Sequence, residues 1–329
     1  MKKILMRITV SIVTFLLIVL LFLLGCIFIL EKGPSPKATE LFVNSALETS
    51  AGKFLARIFI SGDELEAMVN SNSVISADEV TDSSLLDFTG SQEPDKEEQI
   101  SEDAIEIIDV SGSTYNGKMM IVKDPSRVTV GISGEYGEGY YGKTVMQIAQ
   151  KYDAVAAVNG GGFEDPGGHG SGGTPIGLVI SNSELKYGNP EQTYEIIGFD
   201  KSNVLVVGKM TAQAALDRGV RDAISFGPTL IVNGKSVVVN GSGSGLNPRS
   251  AIGQRSDGSI LLLVLDGRQV NSIGATYADV IEIMQSYGAV NAANLDGGSS
   301  SIMYYKGEYI TSSCSIYGPR RLPTTIIVK

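Results

Sequence analysis

Twenty-three consecutive residues, Ile8 to Leu30, carry no charge and are dominated by Leu, Ile, Val and Phe. At about 1.5 Å of rise per residue, a helix of that length covers about 35 Å, enough to cross a hydrocarbon core of about 30 Å. The run is longer than the apolar region of a cleaved signal peptide, and Glu31-Lys32-Gly33 follows it in place of a small-residue cleavage motif. Lys2, Lys3 and Arg7 precede it, so the positive-inside rule places the N-terminus in the cytoplasm and everything after about residue 31 outside. The expectation is a single-pass cell-membrane protein with an extracellular C-terminal domain. Leu23-Leu24-Gly25-Cys26 also has the form of a lipobox with Cys26 lipidated, although Ile27-Phe28-Ile29-Leu30 prolongs the apolar run where polar residues are usual. Both readings keep the chain at the membrane.

Residues 1–30 are therefore the cytoplasmic tip and anchor. Pro34-Ser35-Pro36 ends the helix. Residues 31–75 read as a membrane-proximal helical stalk, with helix-forming residues from Ala38 to Ile60. Asp78 to Asp103 holds ten acidic residues and one Lys, so 76–103 reads as an acidic flexible linker. The remaining residues, 104–329, form one globular domain. The chain's net charge is -10, and Lys2, Lys3 and Arg7 lie in the anchor, leaving 23 basic against 36 acidic residues elsewhere. Such a domain repels nucleic acid. His169 is the single histidine, which excludes a multi-His metal site within one chain, and two cysteines, Cys26 and Cys314, make no disulfide framework.

From Ile105 onward short apolar runs alternate with Gly- and Asn-rich turns. Strands are expected at 105–110, 117–122, 128–132, 154–158, 176–180, 195–199, 204–207, 229–232, 236–239, 251–254, 260–265, 291–295, 301–305 and 325–328. Helices are expected at Thr144–Tyr152 and Ala278–Tyr287, where apolar residues share one face. Many strands and few helices predict an α+β domain with a mixed sheet.

Four of these runs begin or end in small, polar and charged residues. Asn159-Gly160-Gly161-Gly162 closes the first, where glycine lets a ligand approach the backbone. Arg249 opens the second within Asn247-Pro248-Arg249-Ser250, and a guanidinium there can clamp a phosphate or carboxylate. Asp266-Gly267-Arg268 ends the third. The fourth ends in Asn294-Leu295-Asp296-Gly297-Gly298-Ser299-Ser300-Ser301, a carboxylate beside a turn whose N–H groups and hydroxyls suit an anion. One such Asp-Gly is ordinarily a hairpin turn. Four in one domain point to a common site.

In this order, with Phe163, Ala251-Ile252-Gly253 and Gly274-Ala275-Thr276-Tyr277-Ala278-Asp279, these motifs resemble the phosphodiester glycosidase family over about residues 105–329. The resemblance implies a hydrolase that cleaves sugar-1-phosphodiesters, in cell-wall or exopolysaccharide glycans given the outward-facing domain. It also implies that Arg249 and Gly297-Gly298-Ser299-Ser300 hold the phosphate. Asp296 and Asp266 are then the paired carboxylates, in undetermined order, and Asn159, Gly160, Gly161 and Thr276 position the substrate. Arg268 binds substrate or pairs with a carboxylate, and Asp279 reads as a helix N-terminal charge. His169, in a Gly-rich loop, is a candidate general acid, with Glu164 and Asp165 beside it as further acids. No cofactor is required by the sequence, and a divalent cation at Asp266, Asp296 or Asn159 stays open. Two alternatives remain: a non-catalytic polysaccharide- or cell-wall-binding module relying on Arg249, Tyr304 and Tyr305, and a hydrolase with Ser299 or Ser300 as nucleophile activated by His169.

Overall fold

The computed structural model describes residues 2–49, 52–86, 105–166 and 171–329. The charge-free run forms most of α1 (Lys2–Lys32), the one helix among the described residues long and apolar enough to cross a membrane, a test that an N-terminal signal sequence also meets. Ser35 then caps α2 (Pro36–Leu47), with Pro36 in the first turn, where its missing N–H costs nothing. The stretch expected as one helix to Ile60 is broken. α2 ends at Leu47 with Glu48 as its cap, a 3₁₀ turn covers Lys53–Arg57 after Gly52, and α3 (Gly62–Ser71) starts from a Ser61/Glu64 capping box. Val43, Ala46, Ala56 and Ile60 bury one another in a small core beneath these pieces.

Residues 76–86, expected as the start of a linker, lie against the sheets. The Thr81 N–H donates to the Val207 carbonyl at 3.1 Å, and the Asp82 N–H donates to Asn233 Oδ1 at 2.7 Å. The acidic stretch from 87 to 103 falls outside the described residues.

The domain is strand-rich, with three further helices: α4 (Val145–Lys151), α5 (Ala212–Asp217) and α6 (Tyr277–Ser286). A seven-stranded sheet runs in the order 235–236, 229–232, 289–294, 249–255, 260–265, 116–122 and 105–111. Two five-stranded sheets run 184–187, 179–181, 220–225, 193–200, 205–211 and 308–309, 303–305, 156–159, 324–328, 128–132. Every pairing among these strands is antiparallel.

Each large sheet is covered on both faces. Ile260, Leu262 and Val264 point into a central core shared with Val158, Ile197, Val207 and Ile326 of the other sheets. Their neighbours Leu261, Leu263 and Leu265 pack under Val280, Ile283 and Met284 of α6. Ala157 and Ile327 pack in the same way under Ile148 of α4, and Ile196 and Val206 under Ala212 and Ala215 of α5. Burial on both faces is why these strands read as unbroken apolar runs without alternation. The strand at Val220–Ser225 gives no such signal because Arg221-Asp222 interrupts it. Both side chains are satisfied, Asp222 accepting from Thr129 Oγ1 at 2.6 Å and from the Arg221 guanidinium.

Candidate functional site

Antiparallel pairing brings the motif-bearing strand ends together. Arg249 opens its strand opposite Leu265, where the neighbouring strand ends, and Ala251 pairs with Asn294, where the other neighbour ends. Arg249, Asp266-Gly267-Arg268 and Asp296-Gly297-Gly298 therefore leave the seven-stranded sheet on one edge. Asn159 joins this edge from the other sheet. Its Nδ2 donates to the Asp296 carbonyl at 2.6 Å, and its Oδ1 accepts from Ser250 Oγ at 2.7 Å and from the Ile302 N–H at 3.2 Å. The Asp296 N–H in turn donates to the Gly160 carbonyl at 3.0 Å. Asn159 is fully buried and ties the two sheets beneath the site. Asn159→Ala leaves these partners unsatisfied and is expected to lower the unfolding free energy by about 2 kcal/mol, read from urea denaturation.

Above this tie lies a cavity of about 330 Å³, lined by Arg249, Arg268, Arg320, Glu48, Asp165, Asn294, Asp296, Phe163, Phe226, Tyr277 and the Gly297–Ser300 turn. Burial pushes the Asp296 carboxyl up to about 6, against the opposing pull of the Ser300 hydroxyl, the Gly297 N–H and Arg320. Arg249 is nearly fully buried. Its Nε donates to the Ala275 carbonyl at 3.1 Å, and its Nη2 donates to Ser244 Oγ at 2.6 Å and the Gly245 carbonyl at 3.0 Å. Its guanidinium stacks 4.1 Å from the centre of the Tyr277 ring. Arg268 stands in the left-handed region at φ 56° and donates from Nη2 to Asn247 Oδ1 at 2.8 Å. Arg320 donates to Ser299 Oγ at 2.7 Å, pairs with Asp165 and lies over Phe163. Two buried polar atoms of the lining are unpaired, the Arg320 Nε donor and the Asn294 Oδ1 acceptor.

Other candidates sit elsewhere or serve the frame. Asp266 is not in the cavity lining. Its Oδ1 accepts from the Ser312 N–H at 2.9 Å, and burial raises its carboxyl above the usual carboxylate range. Thr276 caps α6 in a capping box with Asp279, whose Oδ2 accepts from the Thr276 hydroxyl at 2.6 Å. Gly160 and Gly161 pack against protein instead of facing open space. A Cβ on Gly160 would lie 2.6 Å from Thr324 Oγ1, and one on Gly161 2.9 Å from the Ser225 carbonyl. Tyr304 is buried under α4, and neither it nor Tyr305 lines the cavity. His169 lies outside the described residues. Among the described residues no three His, Cys, Asp or Glu side chains converge as metal ligands.

Glu48, Asn294, Phe226, Tyr277 and Arg320 enter the lining without having been singled out from the sequence as site residues. Arg320 had no signal to find, since Gly318-Pro319-Arg320-Arg321 reads as a surface loop. Asn294 and Tyr277 stood inside the recognised motifs, and Asn294 could have been found as a polar side chain at a buried strand end.

The fold resembles the pro-peptide-inhibited catalytic domain of zebrafish N-acetylglucosamine-1-phosphodiester alpha-N-acetylglucosaminidase. The TM-score is 0.56 at 23% identity, covering 68% of this chain and 81% of that one. The sequence is 32% identical over 180 residues to the SPbeta prophage-derived uncharacterized protein YomE of Bacillus subtilis (strain 168), covering 52% of this chain and 27% of that relative. The chain thus spans about a quarter of that relative's length. The family model for phosphodiester glycosidases matches residues 152–329, more than half of the chain, and on that match the chain belongs to the phosphodiester glycosidase family.

Proposed function

We propose that the protein is a membrane-anchored, extracytoplasmic hydrolase that cleaves the glycosyl–phosphate bond of sugar-1-phosphodiesters in cell-wall or exopolysaccharide glycans. One observation carries this reading: a carboxyl with its pKa near 6, Asp296, shares a cavity with three guanidiniums, those of Arg249, Arg268 and Arg320. The cations suit a phosphodiester and the phosphomonoester it becomes. A leaving phosphate so held needs no proton from the enzyme, so the carboxyl serves better as base than as acid. Ionised Asp296 takes a proton from water as that water attacks the sugar's C1. The C1–O bond to phosphorus breaks, its electron pair stays on the phosphate, and the proton rests on Asp296. The unpaired Asn294 Oδ1 accepts from a sugar hydroxyl, and Phe163, Phe226 and Tyr277 supply apolar wall for the sugar ring. Asp266, tied to Ser312 outside the cavity, drops out of this scheme, and Asn159 and Thr276 act by holding the frame.

The test is sugar release from a panel of sugar-1-phosphodiesters by the full chain in detergent, with Asp296→Asn beside it. Release that disappears in the variant is the expected result. No release from any member, together with polysaccharide binding that survives Asp296→Asn, would replace the hydrolase with a binding module.

A further inference from the structure

The cavity wall includes a residue from far outside the matched family segment. Glu48 is the C-terminal cap of α2, only 16 positions beyond the last residue of the apolar helix. Its Oε2 accepts from Asn247 Nδ2 at 2.8 Å and lies 2.9 Å from Arg249 Nη2. The helix that carries Glu48 is seated on the loop that carries Arg249's partners. Ser45 Oγ accepts the Leu246 N–H at 2.7 Å, and a Cβ on Gly245 would fall 2.0 Å from the Ser45 nitrogen. Further along, Asn72 Oδ1 accepts from the Ser242 N–H and hydroxyl, each at 3.1 Å, and Val74-Ile75 pairs with Val238-Val239. The membrane-proximal segment is thus built into the same face of the domain as the cavity.

The end of α1 is fastened into that segment as well. The Phe59 N–H donates to Glu31 Oε2 at 2.7 Å, Lys32 pairs with Glu64 at 2.9 Å, and Phe28 meets the Phe59 ring edge-on at 5.3 Å. α1 and α2 pack on each other. Twelve helical residues span about 18 Å, so the cavity wall stays close to the end of the apolar helix and cannot swing away on a flexible tether. Beside the fastening, Phe54 is 64% exposed on the 3₁₀ turn between Lys53 and Arg57. An exposed aromatic flanked by cations is the chemistry of a bilayer interface with anionic headgroups.

We infer that the juxtamembrane segment completes the substrate site through Glu48, a positioning residue for Arg249, and holds the cavity at the membrane surface so that its substrates are lipid-linked sugar-1-phosphodiesters. This rests on the glycosidase reading above. A phosphodiester at headgroup height meets a site fixed at that height, whereas a substrate free in water gains nothing from it.

The experiment places the full chain in vesicles of phosphatidylcholine with a minor share of phosphatidylglycerol. It offers each sugar 1-phosphate of the panel either as a long-chain alkyl ester in the bilayer or as the methyl ester in water. The alkyl ester is expected to be hydrolysed at least about tenfold faster at equal bulk concentration, the gain that co-localisation supplies. A 20-residue Gly/Ser spacer between Gly33 and Pro34, combined with Phe28→Ala, Glu31→Ala and Lys32→Ala to break the three fastenings, lets the domain lift away. It is expected to abolish that preference and leave methyl-ester hydrolysis unchanged. Glu48→Gln is expected to raise KM for the methyl ester about tenfold at nearly constant kcat, as loss of a charge that sets a phosphate-binding guanidinium should. Equal rates for the two esters, or a preference untouched by the spacer, overturn the inference while the glycosidase reading stands. A rise in kcat in Glu48→Gln makes Glu48 a plug and overturns its role in the site. Absence of release from both esters for every sugar in the panel overturns the glycosidase reading and the inference with it.

Discussion

On the proposed mechanism, Asp296→Asn is expected to lower kcat on a sugar-1-phosphodiester about a thousandfold, within the range for loss of a general base, and at the same time to stabilise the fold at neutral pH. Both effects come from the same burial. In the folded chain the Asp296 carboxyl holds its proton up to about pH 6, against a reference value of 3.8. Between these values the folded chain binds more protons than the unfolded one, so stability falls as pH rises through this window. Above it the full cost of an ionised, desolvated carboxylate remains, about 3 kcal/mol for a shift of this size. In the proposed mechanism the ionised form accepts the water proton, so the wild-type rate is expected to rise through about pH 6 and then level. Asparagine cannot ionise, which removes the base and the cost together. The variant should therefore show a higher urea midpoint than the wild type at pH 7 and an equal one near pH 3.5, where both carry a neutral side chain. A variant with near-normal kcat, or wild-type turnover that is flat from pH 5 to 7, would remove Asp296 from the chemistry.

Arg249→Ala is expected to raise KM about a hundredfold and to destabilise the fold by about 4 kcal/mol. The side chain is only 3% exposed, and its Nε and Nη2 donors are committed to the Ala275 carbonyl, Ser244 Oγ, the Gly245 carbonyl and Glu48 Oε2. Truncation takes the cation from beside the partly buried Glu48 carboxylate, which keeps only Asn247 Nδ2, and removes a donor from each of three buried acceptors. It also removes one of the three cations expected to hold phosphate. Arg249→Lys separates these effects. An ammonium keeps the charge but cannot serve the Ala275, Ser244 and Gly245 oxygens from one planar fork, so part of the affinity returns while much of the stability loss stays. Saturation kinetics and urea denaturation on both variants read the two effects. An unchanged KM in Arg249→Ala would show that the phosphate sits on Arg268 and Arg320 alone.

Much of the architecture could be read along the chain because local physics set it. The charge-free run forms residues 8–30 of a 31-residue helix, with Lys2, Lys3 and Arg7 at its start and Glu31 and Lys32 at its end. Thr276 and Asp279 mark the start of α6 three residues apart, as a capping box requires. Ile260–Leu265 reads as an apolar strand and is one, which the structure buries on both faces. The segments that escaped are those where local signals conflict. Val220–Ser225 carries an Arg-Asp pair that only distant partners, Thr129 and Asn203, make tolerable in a sheet. The single helix expected to Ile60 breaks after Leu47, and the pieces fold back on one another, Val43 and Ala46 burying against Ala56 and Ile60.

The sequence by itself determined which strand ends would carry small, polar and charged residues, since a chain marks its own strand ends with glycine, hydroxyls and charge. It also determined the helix long enough to span a membrane, which follows from an uninterrupted apolar run. Tertiary structure alone decided which of these residues share a cavity. Asp296 and Asp266 end strands on one sheet edge, yet Asp296 lines the cavity with the arginines while Asp266 accepts from Ser312 beyond it. Glu48 and Arg320, from segments some 270 residues apart, line the same cavity with no local pattern to announce them. The reason is physical: strand formation depends on neighbours in sequence, whereas convergence depends on antiparallel register and on where loops land, and these are settled only when the sheets close on their common core.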